Sequence, residues 1–307
     1  MTNKNTAAFK PTKIRESTSR TVFNICNYLF FILLILLCAF PLYYVIIQSL
    51  SATQVAGKGI LLPYRFTFSN YTNVFNMPDI FSSLLISVAR TVSGTCITLF
   101  CCMLLGYLFT QEALPGRKFF YRLLTVTMYV SGGIIPVYLV IKMYGLLNTF
   151  WVYVLPTAIS AYYTILIKTY IEGLPKSVEE SAMLDGAGPM NIFLRIILPM
   201  SLPIAATIAV YASVYQWNAW FDNHLYTFNT PSLTTMQYKL YNLLNQATRL
   251  AEESERAGGN TDKLQNAITP TGIRMTVTVV AIIPVMMIYP FMQRYFIKGI
   301  NIGAVKG

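Results

Sequence analysis

Leu174-Pro175-Lys176-Ser177-Val178-Glu179-Glu180-Ser181-Ala182-Met183-Leu184-Asp185-Gly186-Ala187-Gly188, then Ile196-Ile197-Leu198-Pro199, says most about what this molecule is. Pro175 ends whatever helix precedes it. Ser177 with Glu180 three residues on has the spacing of a capping box. Glu179 and Glu180 fall in a first turn, where acids suit the helix dipole. Gly186 is placed for the left-handed residue that stops a helix. Pro189 suits the first position of another helix. In that second helix Ile192, Phe193, Ile196 and Ile197 share one apolar face. Pro199 and Pro203 turn the chain back. The stretch therefore reads as two short helices with a glycine break, set between two long apolar runs. Such a rigid knob on the wet side of a membrane protein offers something for a partner to grip.

The rest of the chain fits a membrane setting. Of 307 residues, 55% are hydrophobic and 11% charged, and mean hydropathy is +0.52. A soluble domain carries about 25% charged residues. The predicted fold class is all-α, a polytopic membrane protein with six transmembrane helices near 22–49, 83–110, 120–142, 150–171, 200–220 and 275–297. The segment 1–21 reads as a cytoplasmic N-terminal segment, 22–297 as the transmembrane domain and 298–307 as a cytoplasmic tail. Inside the domain lie a cytoplasmic loop, 172–199, and an extracellular segment, 221–274. The first run, Val22 to Leu50, is too long for a cleaved signal core and reads as a retained span.

Charge placement sets the orientation. Lys4, Lys10, Lys13, Arg15 and Arg20 precede the first span, and Arg117, Lys118 and Arg122 follow the second. Lys168, Lys176 and Arg195 surround the knob, and Arg294, Lys298 and Lys306 end the chain. The short opposite loops hold only Lys58, Arg65 and Lys142. The positive-inside rule then puts both termini and the knob in the cytoplasm. The net charge of +11 is thus a topology signal, not a sign of nucleic-acid binding.

Other function classes lose support. No GxxxxGK[ST] loop occurs, so ATP is not bound by that route. No acidic residue lies deep in a predicted span, where ion-coupled carriers keep carboxylates. The five cysteines have no metal-ligand spacing, and His224 is the single histidine. No metal site is expected. Arg90 is the clear intramembrane charge; snorkelling to the outer surface is its expected state, a substrate role the alternative. The third span is interrupted by Gly132-Gly133 with Pro136, the fourth by Pro156, the sixth by Pro284 and Pro290. Such breaks either face protein or water, or are ordinary tolerated kinks.

The residues Glu180-Ser181-Ala182, Asp185-Gly186-Ala187 and Ile196-Ile197-Leu198-Pro199 together resemble the coupling loop of ATP-binding-cassette (ABC) importer permeases. Leu114-Pro115-Gly116-Arg117-Lys118, Gly132 to Pro136, Trp217-Asn218 and the ending Tyr289 to Gly307 are similar to the maltose-type carbohydrate permeases, and to their complex-oligosaccharide branch. Ser181 replaces the family's usual alanine, a small change. The resemblance implies a type I ABC importer permease fold. It implies that Glu179, Glu180, Ser181, Ala182, Asp185, Gly186, Ala187, Leu198 and Pro199 couple to an ATPase. A tail of Gly303, Ala304, Val305, Lys306 and Gly307 would reach the ATPase interface, with a frayed terminus as the alternative. It implies a non-catalytic subunit of a bacterial plasma membrane, itself without a cofactor, with ATP and Mg on two partner ATPase subunits. A second permease, an extracellular solute-binding lipoprotein and an oligosaccharide complete the set of partners. A channel or secondary carrier, and a membrane enzyme or scaffold, are the competing readings.

Aromatic rings stack on sugar faces, so Tyr162, Tyr163, Tyr211, Tyr215 and Trp217 are pathway candidates, with Gly132, Gly133 and Asn218. Trp151 and Tyr153 fit an interfacial aromatic belt better. In the outer segment, Met236, Leu240, Leu243, Leu244, Ala247 and Leu250 recur at helical spacing before Gly258-Gly259-Asn260. That segment is expected to be a helix with a loop or second helix, either docking a binding protein or capping the membrane domain.

Overall fold

The computed structural model describes residues 18–52, 61–63, 65–256 and 272–287. The tail Gly303 to Gly307, the Gly258-Gly259-Asn260 break and the end of the last span lie outside them. Among the described residues the protein is helical, with one isolated bridge between Ser51 and Phe66. Among the described residues two helices are long and apolar enough to cross a bilayer alone: α1, Thr18–Ser49, and α3, Ile80–Leu108. A short helix α2, Ser69–Phe75, lies between them. At 1.5 Å per residue they span roughly 48 and 43 Å.

The third and fourth predicted spans are interrupted where the sequence placed their breaks, whereas the sixth runs as unbroken helix through Pro284, and Pro290 lies outside the described residues. The third is two helices, α4, Arg117–Val126, and α5, Ile134–Met143, separated at Gly132-Gly133, where Gly133 has φ +81°. The fourth is short turns of 3₁₀-helix at Phe150–Tyr153 and Leu155–Thr157, then α6, Ala161–Glu172, bent by 47°. The knob is α7, Lys176–Leu184, and α8, Pro189–Ile192. A π-turn over Phe193–Ile197 and α9, Leu198–Met200, continue α8. An 81° bend leads into α10, Leu202–Asn218, the fifth span. Outside it lie α11, Phe221–Tyr226, and α12, Met236–Arg256, the helix expected from the outer apolar periodicity. The described part of the sixth span is α13, Gly272–Met287.

Three apolar clusters join these pieces. The largest brings Cys102, Met103 and Tyr107 of α3 against Ile167 and Ile171 of α6, Ile192, Phe193 and Ile197, and Ala205 and Ile208 of α10. It fuses the base of the knob to the membrane helices. Gly106 makes this possible: a Cβ there would meet Ile167 Cγ2 at 2.6 Å, so α3 and α6 approach closely only without a side chain. A second cluster, with Val74, Ile80, Met236, Ile273 and Val277, holds α12 and α13 against α2 and α3. A third gathers Ile141, Val152, Tyr153 and Val154. α1 buries only Ile47, Gln48 and Ser49, at its C-terminal end. Its remaining apolar surface is outward, as hydrocarbon requires.

The capping box is the first correction. The helix begins at Lys176 with Pro175 as the N-cap, and no side chain caps it. Ser177 sits inside the first turn, past the cap, and its carbonyl accepts a 2.8 Å bond from Ser181 Oγ. Proline at φ −63° already sets the entry geometry, so the turn starts earlier than the serine.

Candidate functional site

The knob is closed by a Schellman motif. Gly186, at φ +81°, donates its N–H to Met183 O at 3.0 Å, and Ala187 N–H donates to Ala182 O at 3.0 Å. Ala182 and Ala187 both pack toward the main cluster. No residue of α7 is fully buried, and Leu184 is 90% exposed. Val178, Glu180, Ser181, Met183, Asp185 and Met190 are exposed beside it. Glu179 turns inward: its Oε1 accepts 2.7 Å from Gln111 Nε2 and 3.3 Å from Tyr107 OH. Tyr107 in turn stacks on Phe193, ring centroids 5.4 Å apart. A force on α7 therefore reaches α3 through Glu179 and α10 through the π-turn and α9. Of the predicted coupling residues, Leu198 is half-buried against the cluster and Pro199 is exposed at the bend. Sequence reading did not single out Tyr107 or Gln111.

Arg90 does not snorkel. It is 1% exposed. Its Nε donates to Gln216 Oε1 at 3.0 Å and its Nη1 to Ala219 O at 3.1 Å and Asp222 Oδ1 at 3.0 Å. Nη2 bonds Asp222 Oδ2, completing a two-toothed ion pair. The guanidinium also lies over the Tyr153 ring, 4.7 Å from its centroid. The physical reason is that a full set of partners lies closer than water. Tyr153 is a correction too. Instead of sitting in an interfacial belt it is fully buried, with its hydroxyl at Thr227 Oγ1, 2.8 Å, and Leu233 O, 2.7 Å. Trp151 is exposed, as a belt residue would be.

The pathway candidates separate into two groups. Tyr162 and Tyr163 of α6 and Tyr211 and Tyr215 of α10 come together; Tyr163 and Tyr211 stack with centroids 6.4 Å apart. Tyr163 and Tyr215 line a cavity at the break in the fourth span. Gly132 and Gly133 are exposed and do not line it. Trp217 is 2% exposed, and its indole Nε1 donates to Ala281 O of α13 at 2.8 Å, so its ring is not offered to a ligand. Trp217→Phe is expected to cost about 1 kcal/mol of stability by leaving that bond unmade. Thermal unfolding of the purified protein checks this, and a melt identical to wild type would remove the bond from the account. Asn218 is exposed and Oδ1 accepts from Gln237 Nε2 at 3.2 Å, which links the end of α10 to α12. No group of side chains suited to a metal ion occurs among the described residues.

A helical membrane domain with a broken-span cavity and a rigid exposed two-helix knob fits the ABC importer permeases that the sequence resembles. The family described as the binding-protein-dependent transport system inner membrane component matches residues 6–302, and the chain belongs to it. It is 36% identical over 288 residues to the polygalacturonan/rhamnogalacturonan transport system permease protein YtcP of Bacillus subtilis (strain 168), covering 93% of this chain and 99% of that protein. It is 37% identical over 289 residues to Protein LplC of the same organism, covering 93% and 95%. A solved structure of a bacterial ABC transporter involved in the import of the acidic polysaccharide alginate matches with TM-score 0.79 at 25% identity. That match covers 92% of this chain and 100% of that one.

Proposed function

We propose that this chain forms half of the membrane pathway for an oligosaccharide, with α7 as the part that a separate ATPase moves. The carrying observation is the geometry of α7: closed by a left-handed glycine, exposed on its outer face, and tied to α3 through Glu179. The helix meets the core only through Glu179 and Ala182, and its exposed Val178, Met183 and Leu184 suit an apolar cleft on another protein. Two relatives, by name permeases of a polygalacturonan/rhamnogalacturonan and of an arabinooligosaccharides transport system, support the substrate class. Basic residues beside the knob support a cytoplasmic position for it and for both termini. ATP and Mg would then be held by the ATPase, with a second permease completing the pathway and an extracellular binding protein delivering the sugar. The tail from Gly303 would extend the ATPase contact.

Cysteine placed at the exposed Ser181, after replacement of the five native cysteines, tests the assignment. In the assembled transporter it is expected to crosslink to the ATPase and to resist impermeant thiol reagents added to intact cells. Labelling from outside would overturn the topology, and absence of any crosslink to the ATPase would overturn the docking role.

A further inference from the structure

The break in the fourth span encloses chemistry that the coupling reading leaves unused. Between the turn Leu155–Thr157 and α6 lies a cavity of about 320 Å³, lined by Thr98, Thr157, Ser160, Tyr163, Tyr215 and Gln216 among others. That volume is at the low end for small-molecule sites, enough for a ring or two but not a long chain. Irregular backbone at membrane depth is tolerated where it is stitched to protein or lines a polar space. Both hold here. Thr98 Oγ1 donates to Thr157 O at 3.1 Å, and Ser160 N–H points to Cys102 Sγ at 3.4 Å.

The polar wall is set from behind. Gln216 is 2% exposed. Its Oε1 is taken by Arg90, and its Nε2 donates to Thr157 Oγ1 at 2.8 Å. The amide cannot rotate without breaking one of these bonds. The lining also carries two aromatic rings. Tyr215 is 55% exposed, and Tyr163 is braced by its stack on Tyr211. The lining side chains carry no charge. The nearby cation, Arg90, stands behind Gln216 and is already neutralised by Asp222.

We infer that this cavity is a subsite for a single sugar ring, read by stacking on Tyr215 and Tyr163 and by hydroxyl contacts, and indifferent to a carboxylate on that ring. It rests on the oligosaccharide reading above and deepens it. Among the described residues the lining offers a uronate carboxylate no cation, so discrimination between neutral and acidic saccharides is made elsewhere in the transporter. Deleting a stacking face then weakens both classes alike.

The test uses the complete transporter in proteoliposomes, with saturating binding protein and with neutral and uronic-acid oligosaccharides of equal length. Tyr215→Ala is expected to reduce uptake of each class about tenfold, the effect of losing roughly 1.4 kcal/mol. Tyr215→Phe, which keeps the ring, is expected to stay within about twofold, on the order of 0.4 kcal/mol. Membrane levels are matched by immunoblot. Unchanged uptake in Tyr215→Ala, or an equal loss in Tyr215→Phe, overturns the stacking subsite. A loss confined to one charge class overturns its indifference to charge. If the unmodified transporter takes up neither saccharide, the oligosaccharide reading itself fails, a result distinct from any variant-specific change.

Discussion

Asp222→Ala is expected to destabilise this protein more than any other single change at its surface-proximal polar sites. It removes the counter-ion of a guanidinium that is 1% exposed and leaves the charge in place. Breaking a buried pair from one side costs about 3–5 kcal/mol, because the remaining ion is neither solvated nor paired. The Lys168–Glu172 pair, at 2.7 Å and open to water on its Glu172 side, is the contrast. An exposed i,i+4 pair is worth about 0.3–0.5 kcal/mol. Distance is not what separates the two; burial is. Removing both charges, as Arg90→Met with Asp222→Leu, is expected to recover much of the loss. Thermal unfolding of wild type, both single variants and the double variant measures the coupling directly. If Asp222→Ala melts with wild type, Arg90 is held by Gln216 and Ala219 alone and the ion pair contributes nothing.

Gly186→Pro is expected to abolish coupled transport while the protein still reaches the membrane. Gly186 stands at φ +81°, whereas proline is held near −65°. Proline also lacks the N–H that bonds Met183 O. The Schellman closure is lost and α7 is re-aimed, yet α7 has no fully buried residue and touches the main cluster only at its edge, through Ala182, so the membrane helices keep their packing. Uptake is expected to fall at least about tenfold, the consequence of displacing a docking surface by more than roughly 1.4 kcal/mol. Gly186→Ala keeps the N–H and is strained by about 1–2 kcal/mol, so it should fall between. Glu180→Lys isolates the docking face, because Glu180 is exposed and caps nothing. Transport assays with membrane levels matched by immunoblot check the series. Normal uptake in Gly186→Pro would separate the knob from coupling.

Local chemistry was legible in the chain. The apolar runs, the break at Gly133, the left-handed stop at Gly186, the start at Pro189 and the outer helix from Met236 all appear where residue types put them. Each depends on neighbours within a turn or two, on which backbone sterics and periodicity act. The capping box failed for a local reason too: Pro175, read only as the end of the preceding helix, takes the N-cap position itself and leaves Ser177 inside the first turn.

What no reading of the line of residues supplied is which distant side chains meet. Arg90 and Asp222 are 132 positions apart, and Tyr107 and Glu179 are 72 apart. Arg90 in isolation has only water to turn to, so snorkelling is its expected state; given Gln216, Ala219 and Asp222 it stays inside. The tyrosines were flagged by type alone. The packing of α3, α6 and α10 sorted them, drawing Tyr163 and Tyr215 to a cavity while turning Trp217 toward α13. The sequence by itself determined that this is a polytopic helical membrane protein with a rigid exposed knob, because hydropathy and turn stereochemistry are properties of short segments. Tertiary structure alone decided where its charge is neutralised and where a cavity opens, because both require groups brought together from far along the chain.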